Sequence, residues 1–557
     1  MTSQSKKLLA FYCCLVASFF LVANVLIPWS VSAKSSNSVK QSAVLFKNLG
    51  NHHHPITTNS PQAQRYFDQG LIFVFGFNHA EAVRSFQEAT RLDGNCAMCY
   101  WGIALALGPN INAPMNPDAV PQAYKAIQKA KHLSAHASPS EQAYIQALSK
   151  RYSQQVVSER QSLDLVYANA MGKLSNLYPE DLDAATLFAE AMMDLMPWNY
   201  WREDGQPKPE TLEVIDTLES VIKRDPNHPG ALHYYIHAVE ASPTPEKAEK
   251  AADQLRSLVP GLGHLVHMPS HIYLRIGRYH DGSIANEHAI AADESYFAQS
   301  QVQSLYRGLY YPHNIHFLWQ TSSIEGRRTL AIATARKLAA KVSLQQVRKF
   351  PLTEMFLPVP LFTLVQFSQW DEILTEPQPT ADLQYTQAMW HYARGMAFVA
   401  KNQLENAIDE QVSLKKFLNN QKIASLEATG LPATQLIEIA DHVLAGKIAQ
   451  QSGKNEDMIA QFKAATAIQD QLPYMEPPYW YYPVRQSLGT ALLQLGQFQE
   501  AEAIYREDLR QHPHNGWSLF GLAKSLEAQG KKEEAAKVQK QFEEAWLEAD
   551  TNLTARL

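Results

Sequence analysis

"YFDQGLIFVFGFNHAEAVRSFQEATRLDGN", residues 66–95, decides the fold. Small residues stand at Gly70, Ala82 and Ala89, an aromatic at Phe86 and a turn residue at Gly94. Apolar residues recur at helical spacing on both sides of the "GFN" break, which predicts a helix hairpin. Small side chains let the two helices approach closely, and the aromatic ring fills the gap left between hairpins. Tyr100 follows Tyr66 at an interval of about 34 residues, the length of a helix–turn–helix repeat unit, and opens a second unit, "YWGIALALG".

The pattern returns near the other end. "SLGTALLQLGQFQEAEAIYREDLRQHPHN" places Gly489, Gly496, Ala501, Tyr505 and Pro513 at the same relative positions, and Ala523 and Ala535 follow Gly489 and Ala501 by the same interval. Further units surround Gly395 and Ala407, and Gly446, Phe462 and Ala465; weaker ones begin near Leu182, Pro229, Gly263 and Pro312. A shared register of this period is the mark of a repeat architecture. Over most of residues 60–550 the chain resembles the tetratricopeptide repeat family. The resemblance implies an all-α solenoid of stacked antiparallel helix hairpins, whose inner helices line a concave surface that binds a protein or peptide partner. "LGNHHHPITTNSPQAQRYFDQG" and "CAMCYWGIALALGPNIN" also resemble a group of exported bacterial tetratricopeptide repeat proteins.

The order expected along the chain is a targeting segment at 1–33, an extension at 34–60, N-terminal hairpins at 61–180, a His-rich region at 181–345 and C-terminal hairpins at 346–550. Lys6 and Lys7 precede an apolar run from Leu8 to Trp29, and "SVSAK" offers Val31 and Ala33 to a signal peptidase. The run is also nearly long enough to remain as a membrane anchor. Either way the bulk of the protein is expected outside the cytoplasm, periplasmic or secreted. Of four cysteines, Cys13 and Cys14 fall in this segment, leaving Cys96 and Cys99. In an oxidising compartment such a close pair forms a local disulfide; the alternative is two small buried residues at a helix corner. "CAMCY" is not a haem-attachment motif. With 49 Lys and Arg against 55 Asp and Glu and no basic stripe, a nucleic-acid partner is not expected. P-loop, dinucleotide-binding and nucleophile-elbow motifs are absent.

Ten of the 20 histidines lie between His228 and His316. Counting each repeat from the first residue of its inner helix, His233, His237 and Glu240 take positions 5, 9 and 12 of the unit starting at Pro229. His264, His267 and His271 take positions 2, 5 and 9 of the next. His313 and His316 take positions 2 and 5 of the unit starting at Pro312, and Glu190 and Asp194 precede them all at positions 9 and 13 of the unit near Leu182. In the family these positions face the groove. Three readings stand: polar packing; recognition, with Tyr234, Tyr235, Tyr273 and Arg275 adding hydrogen bonds and stacking; or a metal site. Neutral imidazole suits zinc and copper, and an i, i+4 pair presents two ligands from one helix. Were the site catalytic, Glu240 or Glu190 would activate water for a metal-dependent hydrolase. "HYYIH" carries Tyr234 where a zincin has glutamate, so that motif is absent. Pro269 is expected to start a helix, leaving His264 and His267 in the preceding loop. "NHHHP", with His52 to His54, binds metal or caps the first helix. The aromatic, Pro-rich insertions 196–209 and 472–485 pack on the scaffold or cover a groove.

Overall fold

The structure, a computed structural model, describes residues 43–157, 159–300 and 304–553. The targeting segment, with Cys13 and Cys14, lies outside the described residues. The described residues are helical, with extended contacts limited to isolated bridges at Asn110–Ala113 and Trp201–Pro207. None of these helices is long and apolar enough to cross a membrane. They form two compact units, an N-terminal unit of residues 43–272 and 285–314 and a C-terminal unit of 273–284 and 315–553. The block boundaries expected at 180/181 and 345/346 do not coincide with these.

The N-terminal unit is built from α1 (Pro61–Phe75), α2 (His79–Leu92), α3 (Ala97–Ala106), α4 (Val120–Leu133), α5 (Pro139–Leu148), α6 (Gln161–Leu177), α7 (Leu182–Met193), α8 (Pro209–Arg224), α9 (Pro229–Val239), α10 (Glu249–Leu255) and α11 (Gly263–His267). Unit boundaries fall within α12 (Pro269–Ile276), α13 (Tyr279–Gln299) and α14 (Tyr311–Ile324). Start signals are explicit: Ser60 caps α1 ahead of Pro61, and Ser138 and Glu141 form a capping box on α5. The repeat logic of the sequence is realised at Phe86. A Cβ added at Gly70 would lie 2.6 Å from its ring, and one at Gly102 only 2.4 Å. The ring of α2 is thus wedged between α1 and α3, where no side chain fits. α9 differs from a surface helix, since all of its residues are buried.

The segment 43–60 carries no helix and lies on these hairpins. The Thr57 amide donates to Glu141 at 2.6 Å, and the Thr58 hydroxyl donates to Asp93 at 2.6 Å. Cys96 and Cys99 are bonded at the start of α3, packed against Ala63 and Ala89. The 196–209 insertion packs back on its own unit: the Trp198 indole donates to Asn112 at 3.0 Å and that of Trp201 to the Ala238 carbonyl at 2.8 Å.

The C-terminal unit continues with α15 (Arg328–Lys341), α16 (Leu344–Lys349), α17 (Val359–Gln366), α18 (Trp370–Thr375), α19 (Gln384–Ala400), α20 (Leu404–Lys415), α21 (Gln421–Glu427), α22 (Ala433–Gln451), α23 (Asn455–Gln469), α24 (Arg485–Gln494), α25 (Phe498–Gln511), α26 (Gly516–Ala528) and α27 (Lys532–Ala545). Tyr505 of α25 repeats the part of Phe86, within 2.6 Å of a Cβ at Gly489 and 2.1 Å of one at Gly521. The 472–485 insertion also packs on its own unit, with Tyr481 stacked on Phe362 at 4.8 Å and bonded to the Tyr392 hydroxyl at 2.9 Å.

Candidate metal centre

Residues of the N-terminal unit bring six imidazoles together. α9 supplies His233 and His237, four apart and so on one face. The chain returns through α11 with His264 and His267, breaks at Met268, and restarts with Pro269 as the first residue of α12, which carries His271. Pro269 lacks an amide hydrogen and is tolerated where no intrahelical bond is made. His264 and His267 accordingly sit on a short helix of their own rather than in a loop. His313 enters from the first turn of α14, directly after a π-helical turn at Tyr306–Tyr310.

The rings sort into two triads. In the first, one nitrogen from each of His233, His237 and His264 lies within 4.8 Å of the others; in the second, the same holds for His267, His271 and His313. Ring centroids are 4.8 Å apart for His233–His237 and 4.9 Å for His233–His264. The triads abut, with His237 5.7 Å from His271 and His264 5.9 Å from His267.

The surrounding groups fix which ring nitrogen carries the hydrogen. Nδ1 of His233 donates to the Phe75 carbonyl at 2.5 Å and Nδ1 of His237 to Glu240 Oε1 at 2.7 Å. The other Glu240 oxygen accepts from Nδ1 of His271, and Asn286 Oδ1 accepts from Nδ1 of His267 at 2.7 Å. Each of these rings turns Nε2 away from its anchor. A carboxylate or carbonyl behind the ring is the usual outer partner of a metal-ligating histidine. Glu240 caps the C-terminal end of α9, where the helix dipole disfavours negative charge. Two imidazole N–H groups hold it there. His264 is placed through its backbone: its N–H donates to the Tyr306 hydroxyl at 2.9 Å, which donates to Asp293 at 2.8 Å. Asn314 donates to the other Asp293 oxygen at 2.8 Å. Burial pushes Asp293 up to about 7 against these two bonds. A Cβ at Gly263 would stand 2.2 Å from Asp293, so this turn admits only glycine.

Burial, followed by the charge of neighbouring imidazoles, holds His233, His237, His264 and His267 well below the usual histidine range. They are neutral, the form a metal takes. Aromatic rings wall the first triad: Phe77 lies 4.6 Å from His233, Tyr310 4.7 Å from His264 and Trp198 5.1 Å from His237. Phe77 has φ +57° at the end of α1, with its amide bonded to Val74 and that of Asn78 to Phe73. Glycine usually fills this helix-ending position, and a bulky residue there costs about 1 kcal/mol or more. The strain is accepted at the residue whose ring covers the histidines.

Several expectations are corrected. The histidines are not groove residues: His233 and His267 are fully buried, and His313 alone of the six is partly exposed. Tyr234, Tyr235 and Tyr273 are buried as well. Tyr234 stacks on Phe77, and Tyr235 donates to Glu219 at 2.7 Å. In the C-terminal unit, Arg278 lies over the Tyr273 ring and Arg275 over Tyr474. His316 belongs to that unit, where its ring stacks on Trp319 at 5.2 Å and burial pushes it down to about 3. It is outside both triads. Glu190 faces Asp194 and Arg151 instead of the histidines, and burial with the Asp194 charge raises it well above the carboxylate range.

A second His–Asp cluster was only half visible in the sequence. Asp183 accepts from His54 at 2.7 Å, His52 at 3.0 Å and His228 at 3.1 Å, beside a cavity of about 640 Å³. The partner of "NHHHP" lies far along the chain, with no local signal to mark it. Nδ1 of His228 accepts the Ala231 amide at 3.2 Å, so its Nε2 carries the hydrogen that Asp183 accepts. These rings are engaged as donors, which makes the cluster a clamp on the N-terminal segment. Burial opposes the charge on Asp183, but His52 and the hydrogen bonds from His228, His52 and His54 hold its carboxyl well below the usual range. Asp183 in turn outweighs burial and raises His52 and His54.

Residues 487–546 match the family model described as tetratricopeptide repeat. No curated protein matches the chain in sequence. Among solved structures, the chain is similar to the human IFIT1 dimer with m7Gppp-AAAA at 11% identity, covering 88% of this chain and 91% of that one, with a TM-score of 0.32. It is also similar to the APC/C hetero-tetramer Cut9–Hcn1, at 11% identity, 87% of each chain and a TM-score of 0.25. The P58(IPK) TPR domain aligns at 11% identity over 84% of this chain and 99% of that one, with a TM-score of 0.22.

Proposed function

The chain carries tetratricopeptide repeats, and from that premise we propose a hairpin scaffold whose N-terminal unit binds a transition metal ion, zinc or copper, at His233, His237 and His264. One observation carries this reading. Nε2 of His233, Nε2 of His237 and both ring nitrogens of His264 are buried without a hydrogen-bond partner. Leaving one such group unsatisfied costs about 1–3 kcal/mol. Three such rings, with one nitrogen of each within 4.8 Å of the others, multiply that cost, and a bound cation removes it. Three neutral imidazoles without oxygen ligands suit zinc or copper and not magnesium or calcium.

Glu240 was the candidate water-activating base of a hydrolase. Its two oxygens instead orient His237 and His271, which makes it a positioning residue. The hairpin repeats support a protein-interaction scaffold. The Cys96–Cys99 disulfide supports an exported, oxidising location. The test is metal analysis of the full chain, purified without a polyhistidine tag, before and after incubation with zinc(II), copper(II) and nickel(II). Zinc or copper retained through dialysis and lost in His233→Ala/His237→Ala is expected. A folded protein that retains none of the ions refutes the reading.

A further inference from the structure

The first triad has a definite construction in the repeat register. Positions 5 and 9 of one unit, His233 and His237, are joined by position 2 of the next, His264. The same construction occurs once more. His267 and His271 hold positions 5 and 9 of that next unit, one full period on, and His313 holds position 2 of the unit after it. Resting on the metal reading above, we propose that His267, His271 and His313 form a second metal site, so that the unit holds two zinc or copper ions side by side.

The geometry of this triad supports the assignment independently. Nε2 of His267 lies 3.0 Å from Nε2 of His271, which lies 3.4 Å from Nε2 of His313. Ligands about 2.0–2.1 Å from a tetrahedral zinc stand about 3.3 Å from one another. Both spacings are close to that value, and one nitrogen of each of the three rings lies within 4.8 Å of the others. With Nδ1 of His267 on Asn286 and Nδ1 of His271 on Glu240, both rings turn Nε2 toward the centre of the triad. Glu240 is the link between the sites, since each of its oxygens orients one ligand of one triad. The series ends there for a visible reason. In the third unit position 5 is His316, but position 9 is Gln320, and His316 is stacked on Trp319.

The experiment is equilibrium metal stoichiometry on the full, tag-free chain with zinc(II) and with copper(I), each as the sole ion, for the wild type, His264→Ala and His313→Ala. His313 is the partly exposed ligand, so its loss costs the least packing; near-UV circular dichroism verifies the fold of each variant. Two equivalents in the wild type and one in each variant are expected. One equivalent in the wild type, lost in His264→Ala and kept in His313→Ala, overturns the second site and leaves the first standing. One equivalent lost in both variants means a single ion shared by the cluster, and also overturns it. No metal in any form overturns both readings, leaving a proton between His267 and His271. A folding failure of His264→Ala leaves the decision with the wild type and His313→Ala.

Discussion

Replacing Glu240 by glutamine removes one charge and keeps the shape. The carboxylate accepts from Nδ1 of His237 and from Nδ1 of His271. A glutamine amide has one oxygen and one NH2 group, so it can accept from only one of these rings. The other ring meets an N–H and must accept through Nδ1, which moves its hydrogen to Nε2. That nitrogen then points a hydrogen, not a lone pair, at the metal position. To bind, the ring must return to the original tautomer and face N–H against N–H, at about 1–3 kcal/mol for the unmet pair. At about 1.4 kcal/mol per decade this is roughly 5- to 150-fold in affinity, in line with the roughly 10–100-fold loss usual for removing an outer partner of a metal ligand. The other ring keeps a hydrogen bond but loses its charge assistance, so its site weakens by less.

Glu240→Gln is therefore expected to split the two binding steps, one weakened by one to two orders of magnitude and the other by several-fold. Chelator-competition titration with zinc(II) reads both steps, and the melting temperature of the metal-free variant shows whether the scaffold survives. Wild-type affinity at both steps, within twofold, would refute the claim that Glu240 orients the ligands. Equal weakening at both steps would refute the tautomer argument and leave a purely electrostatic role.

Asp183→Asn is expected to release residues 43–60, because half-buried His52 and His54 and buried His228 lose their common carboxylate at a cost of about 3 kcal/mol; hydrogen exchange confined to that segment and α7 should accelerate, and unchanged protection would refute the clamp. For pH, the metal-free fold holds His233, His237, His264 and His267 below their unfolded value of 6.5, so the unfolded chain binds more protons once pH falls below 6.5. Each then removes up to about 1.4 kcal/mol of stability per pH unit. Denaturant midpoints should fall steeply from pH 6.5 to 5, partly offset by the raised His52 and His54, whose contribution is present below 6.5 and lost as pH rises through their folded values; a flat profile in His233→Ala/His237→Ala as well as in the wild type would refute the assignment.

The hairpins were legible because their cause is local. Gly70 and Phe86, or Gly489 and Tyr505, lie within one repeat, and their sizes dictate a close helix pair whatever surrounds them. The histidine register was legible for the same reason, since a fixed period stacks equivalent positions of successive units. Burial was not legible. The register assigns positions 5 and 9 to a groove, but here Phe77, Trp198 and Tyr310 cover the first triad. Phe77 stands where a glycine was the ordinary choice, and Trp198 comes from an insertion outside the period. Nor does a period show that Asp183 meets His52 and His54, because those contacts join a non-repeating segment to a helix more than a hundred positions on.

The repeat also explains why the cluster can carry two sites on one carboxylate. Duplication copies the ligand positions, so His233 and His237 reappear as His267 and His271, but the position that Glu240 holds in its unit is Leu274 in the next. A second acid was not needed at that position, because α9 ends where Glu240 can reach the first ring of α12 as well as its own His237. Glu240 orients one ring of each triad, and makes each site depend on the state of the other. Independent sites would need two such anchors, so mutual dependence follows from the sharing itself: protonating or replacing Glu240 must disturb both triads, while the loss of His233, whose Nδ1 is anchored on the Phe75 carbonyl, should disturb mainly its own.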